Sequence, residues 1–271
     1  MGVRNYTSLA LVTLFLYGCS DRQQAGLEQR ISQEAAQPNG KPDKYAVLIN
    51  GADEKRFVAE ITNTYTILLE NGFPKENIYV LVQDRRNYSS PVDDVANKKN
   101  IETIFRHLRK KIDAEDKLVI HISDHGVRTK IKLENSNPEE YQEITEIALP
   151  SGNVSEIDLE KYLSGINPKV GIITTEICYG GGLVKRLGKG KYIGIAQTTE
   201  KEVGYSRLGD TFGGFFYEAF RNSVESDKNK DGRVTIDEAF NYAKSKHSWS
   251  RSGEVKPQLI SELDVKNISL K

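Results

Sequence analysis

The feature that most constrains the fold of this chain is a repeated alternation of short apolar runs with longer amphipathic stretches. Runs of strand length and nearly continuous apolar character occupy residues 44–50, 77–83 and 117–123. Between them, apolar residues recur at steps of three and four over about 57–70 and 99–113, which predicts two helices. Because strands that alternate with helices form parallel sheets, we predict an α/β fold with a mostly parallel central sheet flanked by helices on both faces.

The second half of the chain continues this pattern less regularly. Residues 127–147 are charged and weakly patterned, and we interpret them as a surface loop or an irregular hairpin. A short helix is predicted near 155–166, and the apolar runs 169–177 and 191–197 have the character of central strands. Since one α/β domain commonly has about 200 to 250 residues, the sequence predicts a single globular domain over residues 44–271.

Residues 1–18 resemble a bacterial lipoprotein signal peptide, in which one positive charge precedes an apolar run too short to span a membrane. The sequence LYGC at 16–19 resembles a lipobox, which implies lipidation of Cys19; a plain cleaved signal peptide is the alternative. Ser20 favours delivery to the outer membrane. Residues 19–43 are polar and predict a tether. We therefore expect the protein in the bacterial cell envelope, with a lipid anchor holding it to a membrane.

Four histidines are present, and their positions distinguish them. His107 lies on a predicted helix among arginines and lysines and is expected to face solvent, whereas His121 lies within a strand and is expected in the core. His247 follows the last predicted helix. Only His125 lies just past a strand end, with Gly126 after it. Since ligand sites in parallel α/β sheets lie beyond the carboxyl ends of strands, His125 is the candidate functional histidine.

Cys178 lies just past the end of the fourth predicted strand, and with Cys19 assigned to lipid it has no disulfide partner. One interpretation is a small apolar packing residue. The other is a nucleophile, since an imidazole activates a thiol and the resulting oxyanion needs N–H donors, here the amides of Gly126 and Cys178. His125 lies 53 residues before Cys178, and the glycines at 180–182 are expected to leave room for a substrate backbone.

The motifs D-H-G at 124–126 and E-x-C-x-G at 176–180 resemble those of caspase-like cysteine peptidases, and more closely those of the legumain (asparaginyl endopeptidase) branch. The similarity covers roughly residues 44–220. It implies the caspase-like (caspase-hemoglobinase) fold and peptide or protein substrates. It also implies Cys178 as the nucleophile and His125 as the general base and then the general acid.

The same resemblance points to substrate-binding residues. Arg56 falls on an arginine that helps to line the primary specificity pocket in the legumain branch. Glu176 is a candidate to line that pocket or to orient the site, and Asp124 is a weaker candidate for support. Gly180 departs from the pattern, since the family usually has serine there, and the acidic residue of the pocket has no clear match. The residue preceding the cleaved bond is therefore not predicted.

Together these residues predict a cysteine endopeptidase that cleaves peptide bonds through a Cys178 acyl-enzyme. Two alternatives stay open: a legumain-like transpeptidase or ligase, in which an amine captures the acyl-enzyme, and a catalytically silent lipoprotein that binds a partner. Basic and acidic residues number 38 each, so the formal net charge is zero. Because nucleic-acid binding depends on surplus positive charge, no nucleic-acid partner is expected.

Residues 227–238, DKNKDGRVTIDE, match the pattern of an EF-hand calcium loop. The predicted ligands are oxygens of Asp227, Asn229, Asp231, Arg233 (backbone carbonyl), Thr235 and Glu238. The segments 212–224 and 236–246 on either side have helical patterns. A solvated acidic turn is the alternative. Because a single loop has no partner hand, we expect a structural calcium ion joining two helices, and no cofactor for the chemistry itself.

Overall fold

The computed structural model describes residues 18–34, 38–134 and 139–271, with the backbone alone for residues 18–25. Within these residues, no helix combines the length and the apolar character needed to cross a bilayer. The predicted signal peptide up to residue 17 and the side chain of Cys19 lie outside the described residues. Export and lipidation therefore stay predictions.

The chain divides into two units, Met1–Glu34 and Ala35–Lys271. The first contains helix α1, Gly18–Gln33, in a segment that the sequence predicted only as a polar tether. Near the end of α1, Arg30 lies 3.0 Å from Glu34. Ion pairs four residues apart stabilise helices by only about 0.2 to 0.5 kcal/mol, so this pair makes a minor contribution to α1.

The strands lie in the second unit and form two sheets. Their bounds are β1 Lys44–Asn50, β2 Ile78–Val82, β3 Asp94–Val95, β4 Lys117–Ser123, β5 Gly126–Lys132, β6 Tyr141–Ile147, β7 Val154–Ser155, β8 Val170–Glu176, β9 Tyr192–Ala196 and β10 Gln258–Ile260. Seven strands form a central sheet in the order β10-β9-β8-β4-β1-β2-β3. Its neighbouring strands are parallel except β10, which runs antiparallel to β9. The predicted, mostly parallel α/β sheet is confirmed.

The central strands follow the apolar runs closely because both of their faces are buried. β1 and β4 have the predicted bounds, and β2, β8 and β9 are each one residue shorter at both ends. The sequence did not predict β3 and β10. These edge strands have two and three residues, and so are too short to produce an apolar run.

Helices cover both faces of the central sheet. Those of the second unit are α2 Lys55–Glu70, α3 Lys98–Leu108, α4 Glu156–Leu163, α5 Gly180–Leu187, α6 Phe212–Glu218, α7 Ser223–Ser226, α8 Ile236–Lys246 and α9 Ser248–Ser252. On one face, α2, α6 and α8 share a core that includes Ile61, Phe216 and Ala239. α3, α4 and α5 cover the opposite face. This arrangement agrees with the right-handed crossovers that parallel strands require.

Local side chains set the limits of several helices. α4 begins with a capping box between Ser155 and Asp158, and α8 begins with one between Thr235 and Glu238. α2 ends before Gly72, whose φ of 79° lies in the left-handed region. These caps stand at the predicted boundaries, and α2 extends two residues before the first apolar position, Phe57.

The segment predicted as a loop or an irregular hairpin is a regular hairpin. β5 and β6 pair without interruption from Gly126 opposite Ile147 to Lys132 opposite Tyr141, and β7 extends this second sheet. Most of β5 is exposed or half-buried, so charged residues occupy it and obscure the alternation typical of a strand. The expectation of irregular structure was therefore wrong.

The histidine of the third helix is also placed differently from its prediction. His107 is 5% exposed, and its ring meets that of Tyr79 in β2 with centroids 6.1 Å apart. The helix α3 ends at Leu108 rather than near residue 113, and His107 and Leu108 in its last turn are buried. The prediction that His107 faces solvent was wrong, whereas His121 is fully buried as predicted.

Candidate active site

The register of the central sheet brings the two candidate residues to one edge. β4 and β8 are parallel neighbours, and Ser123 pairs with Glu176 at their carboxyl ends. The N–H of Asp124 donates to the carbonyl oxygen of Glu176 at 3.3 Å, which continues the pairing by one step. His125 and Cys178 each lie two residues beyond the Ser123–Glu176 pair. Both residues therefore lie just beyond strand ends at one edge of the sheet, as the sequence predicts.

The backbones of Gly126 and Cys178 are in direct contact. A Cβ atom on Gly126 would lie 2.2 Å from the carbonyl oxygen of Cys178, so no other residue fits without a backbone shift. The N–H of Ala148 donates to the carbonyl of His125, which makes these two a hydrogen-bonded pair of the hairpin. The next pair, Gly126 with Ile147, is then a non-hydrogen-bonded pair. The N–H of Gly126 consequently points away from β6.

The imidazole of His125 is held by a carboxylate that the sequence argument missed. Its Nε2 lies 2.5 Å from Oε1 of Glu54, and its ring meets Phe57 edge-on with centroids 5.3 Å apart. Burial is the largest single influence on the pKa of Glu54 and acts to raise it, but the hydrogen bonds to Glu54 and the nearby charges of His125 and Arg56 together outweigh burial, so the pKa is lowered. With Nε2 engaged, Nδ1 is the nitrogen left for another partner. Glu54 lies in the loop after β1, and that position at the same edge was the available signal.

The thiol of Cys178 is free and partly exposed, and it lies on a constrained turn. Its Sγ is 3.7 Å from the carbonyl oxygen of Gly204. The next residue, Tyr179, has φ 60° and ψ 15°, a left-handed conformation that costs a non-glycine residue about 1 to 3 kcal/mol. Its N–H donates to the carbonyl oxygen of Glu202 at 3.0 Å. The loop after β9 therefore fixes the turn that carries the thiol.

The three glycines after this turn form the first turn of α5. A Cβ atom on any of Gly180, Gly181 or Gly182 would come within 3 Å of protein atoms. The nearest atoms are Oγ1 of Thr175, the backbone nitrogen of Glu200 and Oγ1 of Thr145, at 2.6, 2.6 and 2.3 Å respectively. The expectation that these glycines leave room for a substrate was wrong, because the protein itself occupies that space.

Asp124 is a buried carboxyl group that joins two strand ends. Its Oδ2 accepts the N–H of Gly51 and its Oδ1 accepts the N–H of His125, both at 2.6 Å. Burial raises the pKa of Asp124 to about 7, although the two N–H donors act in the opposite direction. Asp124 therefore supports the backbone of His125, which agrees with the weak supporting role that the sequence suggested.

Arg56 lies next to the groups that hold His125. Its Nη1 donates to the carbonyl oxygen of Ser206 at 2.9 Å, and Nη2 lies 4.0 Å from Oε1 of Glu54. Its guanidinium group is 4.3 Å from the ring centroid of Phe57. The side chain is about a quarter exposed, so a cationic group reaches the surface beside the imidazole.

Glu176, the other predicted substrate-binding residue, is fully buried. Its oxygens accept the N–H groups of Phe212 at 3.3 Å and Gly213 at 2.9 Å, where α6 begins. Burial and the charge of Glu60 raise the pKa of Glu176 well above its ordinary value. A carboxyl group with no exposed surface lines no open pocket, so the geometry favours the orienting role among the two that were predicted.

A chain of buried polar contacts continues below Glu176. Oε1 of Glu60 lies 3.0 Å from Nε2 of His121, and Nδ1 of His121 lies 2.8 Å from Oγ1 of Thr174. The same Thr174 oxygen is 2.7 Å from the hydroxyl of Tyr217. These contacts explain a histidine in the core, and they connect β4 and β8 to α2 and α6 beneath the candidate site.

The acidic loop 227–238 lies at the opposite end of the sheet. Arg233 of the loop lines a cavity of about 480 Å³ together with Lys44 and Lys117, the first residues of β1 and β4. His125 and Cys178 follow the carboxyl ends of strands, so the structure does not bring the loop to them. The predicted helix before the loop is divided into α6 and α7, with a break after Glu218.

The similarity of this chain to known proteins is weak. No model of a known protein family matches the chain. The chain is 24% identical over 181 residues to Metacaspase-4 of Arabidopsis thaliana, over 65% of its own length and 41% of that protein. It thus covers about two fifths of this relative. The weak homology and the α/β fold support a caspase-like cysteine peptidase at the level of the broad family.

Proposed function

We propose that this protein is a cysteine endopeptidase in which Cys178 is the nucleophile and His125 transfers protons. The observation that carries the proposal is the contact between the backbones of Gly126 and Cys178. The contact follows from the parallel pairing of β4 with β8, and it brings the residues after the two strand ends, which carry a thiol and an imidazole, together at the edge where α/β sheets bind ligands. Thiol and imidazole together can form and hydrolyse an acyl-enzyme.

In the proposed reaction, His125 takes the thiol proton as Cys178 sulfur bonds to the carbonyl carbon of the peptide. The carbonyl oxygen becomes an oxyanion, which the N–H groups of Gly126 and Cys178 stabilise. When the C–N bond breaks, His125 gives its proton to the leaving amine, and water then hydrolyses the thioester. Glu54, bonded to Nε2, orients the ring and stabilises the imidazolium form.

Within this proposal, we assign the protein to the legumain branch of the caspase-like peptidases. This assignment is supported by the D-H-G and E-x-C motifs and by Arg56, which is partly exposed beside His125. In that assignment Arg56 binds the side chain that precedes the cleaved bond. Glu176 does not contact the substrate in that assignment; it orients the site by accepting a hydrogen bond from the N–H of Gly213 at the start of α6.

Digestion of a peptide library tests the proposal. The wild-type protein is expected to cut at a restricted set of sequences, and the sequenced ends give the preferred residue before the bond. Joined peptides in the same digest would show that an amine can replace water. A Cys178→Ala protein serves as the blank. Equal cutting by both proteins would show that the activity belongs to a contaminant or to another site.

A structural calcium ion is the second part of the proposal. Oδ1 of Asp227 is buried and has no hydrogen-bond partner among the described residues, and a cation would satisfy it. Asn229 supplies an amide oxygen, and Arg233 a backbone carbonyl. No three His, Cys, Asp or Glu side chains in the described chain are arranged to hold a metal, so Asp227, Asp231 and Glu238 must rearrange to bind the ion. Glu238 accepts backbone N–H groups in this structure and must exchange them to bind the ion.

Calcium is expected to raise the melting temperature of the wild-type protein. At 100 times the dissociation constant, binding stabilises a fold by about 2.7 kcal/mol, or roughly 5 to 10 °C for a domain of this size. Asp227→Asn is expected to remove most of the shift measured by differential scanning calorimetry. Asp237→Asn is the matched control, because Asp237 lies in the same loop outside the ligand positions. A wild-type melt that is the same in calcium and in EGTA contradicts the site.

A further inference from the structure

A cavity of about 320 Å³ opens behind the Cys178 turn, on the face of the sheet that α5 covers. Its walls come from segments that touch Tyr179, the residue after the thiol. Oγ1 of Thr145 donates to the carbonyl oxygen of Tyr179 at 3.0 Å, and Gly182 donates its N–H to the same oxygen at 3.0 Å. The guanidinium group of Arg128 lies 5.4 Å from the Tyr179 ring centroid. The cavity is therefore built against the catalytic turn itself.

The lining of this cavity has a surplus of positive charge. Five cationic and three acidic side chains line it. The acidic side chains face cations in three pairs, Arg186 with Glu156 at 3.1 Å, Lys185 with Glu200 at 2.7 Å and Arg128 with Glu143 at 3.6 Å. Lys189 and Lys201 form no ion pair with any residue in the described parts of the chain, although the pKa of Glu200 is lowered by the hydrogen bond from Lys185 and, to a smaller extent, by the charge of Lys201. Two exposed ammonium groups are thus left to meet a negative charge.

The position of the cavity indicates which half of a bound peptide would reach it. Arg56 lies on α2, and Glu176 bonds to the start of α6, both on the face opposite α5. The retained acyl half is proposed to bind on that side. Because the retained and leaving groups extend in opposite directions from the attacked carbon, the leaving half runs toward α5 and the hairpin. The cavity lies in the path of the leaving half.

The distances along a peptide fit this placement. An extended chain advances about 3.3 Å per residue, and adjacent Cα atoms are about 3.8 Å apart. Thr145 and Gly182, which line the cavity, both donate hydrogen bonds to the carbonyl oxygen of Tyr179, one residue from the thiol. The second or third residue after the cleaved bond therefore reaches the cavity, whereas the first remains beside Cys178.

We infer that this cavity is a subsite for an acidic side chain, Asp or Glu, located two or three residues after the cleaved bond. The inference rests on the proposed peptidase function and adds a preference on the leaving side. Lys189 and Lys201 are the residues that determine the preference, since each of the other three cations is within ion-pair distance of a carboxylate. The attraction weakens as salt rises, because both ammonium groups are exposed.

Two substrate formats separate the subsite from the peptidase activity. The first carries the best acyl half from the library and a small aminocoumarin leaving group, which cannot reach the cavity. The second is a set of internally quenched peptides with the same acyl half and Asp-Asp, Asn-Asn or Lys-Lys at the second and third leaving positions. The wild-type protein is expected to cleave the Asp-Asp peptide with a kcat/KM about three- to tenfold above that of Asn-Asn, with Lys-Lys lowest.

The double variant Lys189→Glu with Lys201→Glu is expected to reverse this order and to cleave the coumarin substrate as wild type does. Lys244→Glu with Lys266→Glu changes the net charge equally at exposed positions outside the cavity, and should leave the order unchanged. Equal cleavage of the Asp-Asp and Asn-Asn peptides by an active protein overturns the subsite alone. A reversal in both double variants also overturns it. No cleavage of any substrate, the coumarin one included, overturns the peptidase proposal on which it rests.

Discussion

Replacing His125 with alanine is expected to lower kcat/KM for a peptide substrate by about 10²- to 10⁴-fold, and replacing Cys178 with alanine to abolish turnover. His125 both accepts the thiol proton and protonates the leaving amine in the proposed reaction. Its side chain is 49% exposed, so its removal should leave the core intact. Steady-state kinetics with the best library sequence measure the loss, and a thermal melt confirms the fold.

Glu54→Gln is the matched variant for the same mechanism. The amide keeps a hydrogen bond to Nε2 of His125 but lacks the charge that stabilises the imidazolium, so we expect a smaller loss, about tenfold and mainly in kcat. Iodoacetamide should label Cys178 more slowly in His125→Ala than in the wild-type protein. A His125→Ala protein with kinetics and labelling rates equal to those of wild type would exclude the proposed proton transfer.

The central sheet could be predicted from the sequence because burial on both faces leaves a continuous apolar run. β1 and β4 show this most clearly, since their predicted and observed bounds coincide. Parallel pairing then fixed where these strands end relative to one another. That is why His125 and Cys178, 53 residues apart in the chain, could be assigned to one edge without a structure.

Three features of the structure could not be predicted because they depend on contacts between segments that are distant in the sequence. The position of Glu54 just after β1 indicates the correct edge of the sheet, but only the folding of that loop brings its carboxylate to Nε2 of His125. The charged surface of β5 hides a regular strand. His107 has basic neighbours in the chain, yet the helix turns it onto Tyr79. In each case the deciding partner lies in another element, outside any local pattern.

The glycines at 180–182, after the turn that carries Cys178, show the same limit of local sequence patterns. Local flexibility suggested an open approach for the substrate, but α5 begins there and packs against Thr145, Thr175 and the loop after β9. The conformational freedom is needed one position earlier, where Tyr179 adopts a positive φ without being glycine. Contacts from the neighbouring segments, and not chain flexibility, therefore set the position of the thiol.

Asp124→Asn is expected to alter how the free energy of unfolding depends on pH. Burial raises the pKa of Asp124 to about 7 in the folded protein, above the value of about 3.9 that an aspartate has in an unfolded chain. The folded state thus holds this proton more tightly. The resulting stabilisation is fully present below about pH 4 and is lost as pH rises through about 7. The difference between these values corresponds to about 4 kcal/mol for a single group.

The measurement is urea unfolding of the wild-type and Asp124→Asn proteins at several values between pH 4 and pH 7. Because asparagine does not titrate, the free energy of unfolding of the variant should rise relative to that of wild type by up to about 4 kcal/mol across this range. Glu176, whose pKa is also raised by burial, is retained in both proteins and cancels in the comparison. Cys178→Ala keeps Asp124 and should follow the wild-type curve. If the difference between wild type and Asp124→Asn stayed constant with pH, Asp124 would be ionised throughout, held by the N–H groups of Gly51 and His125.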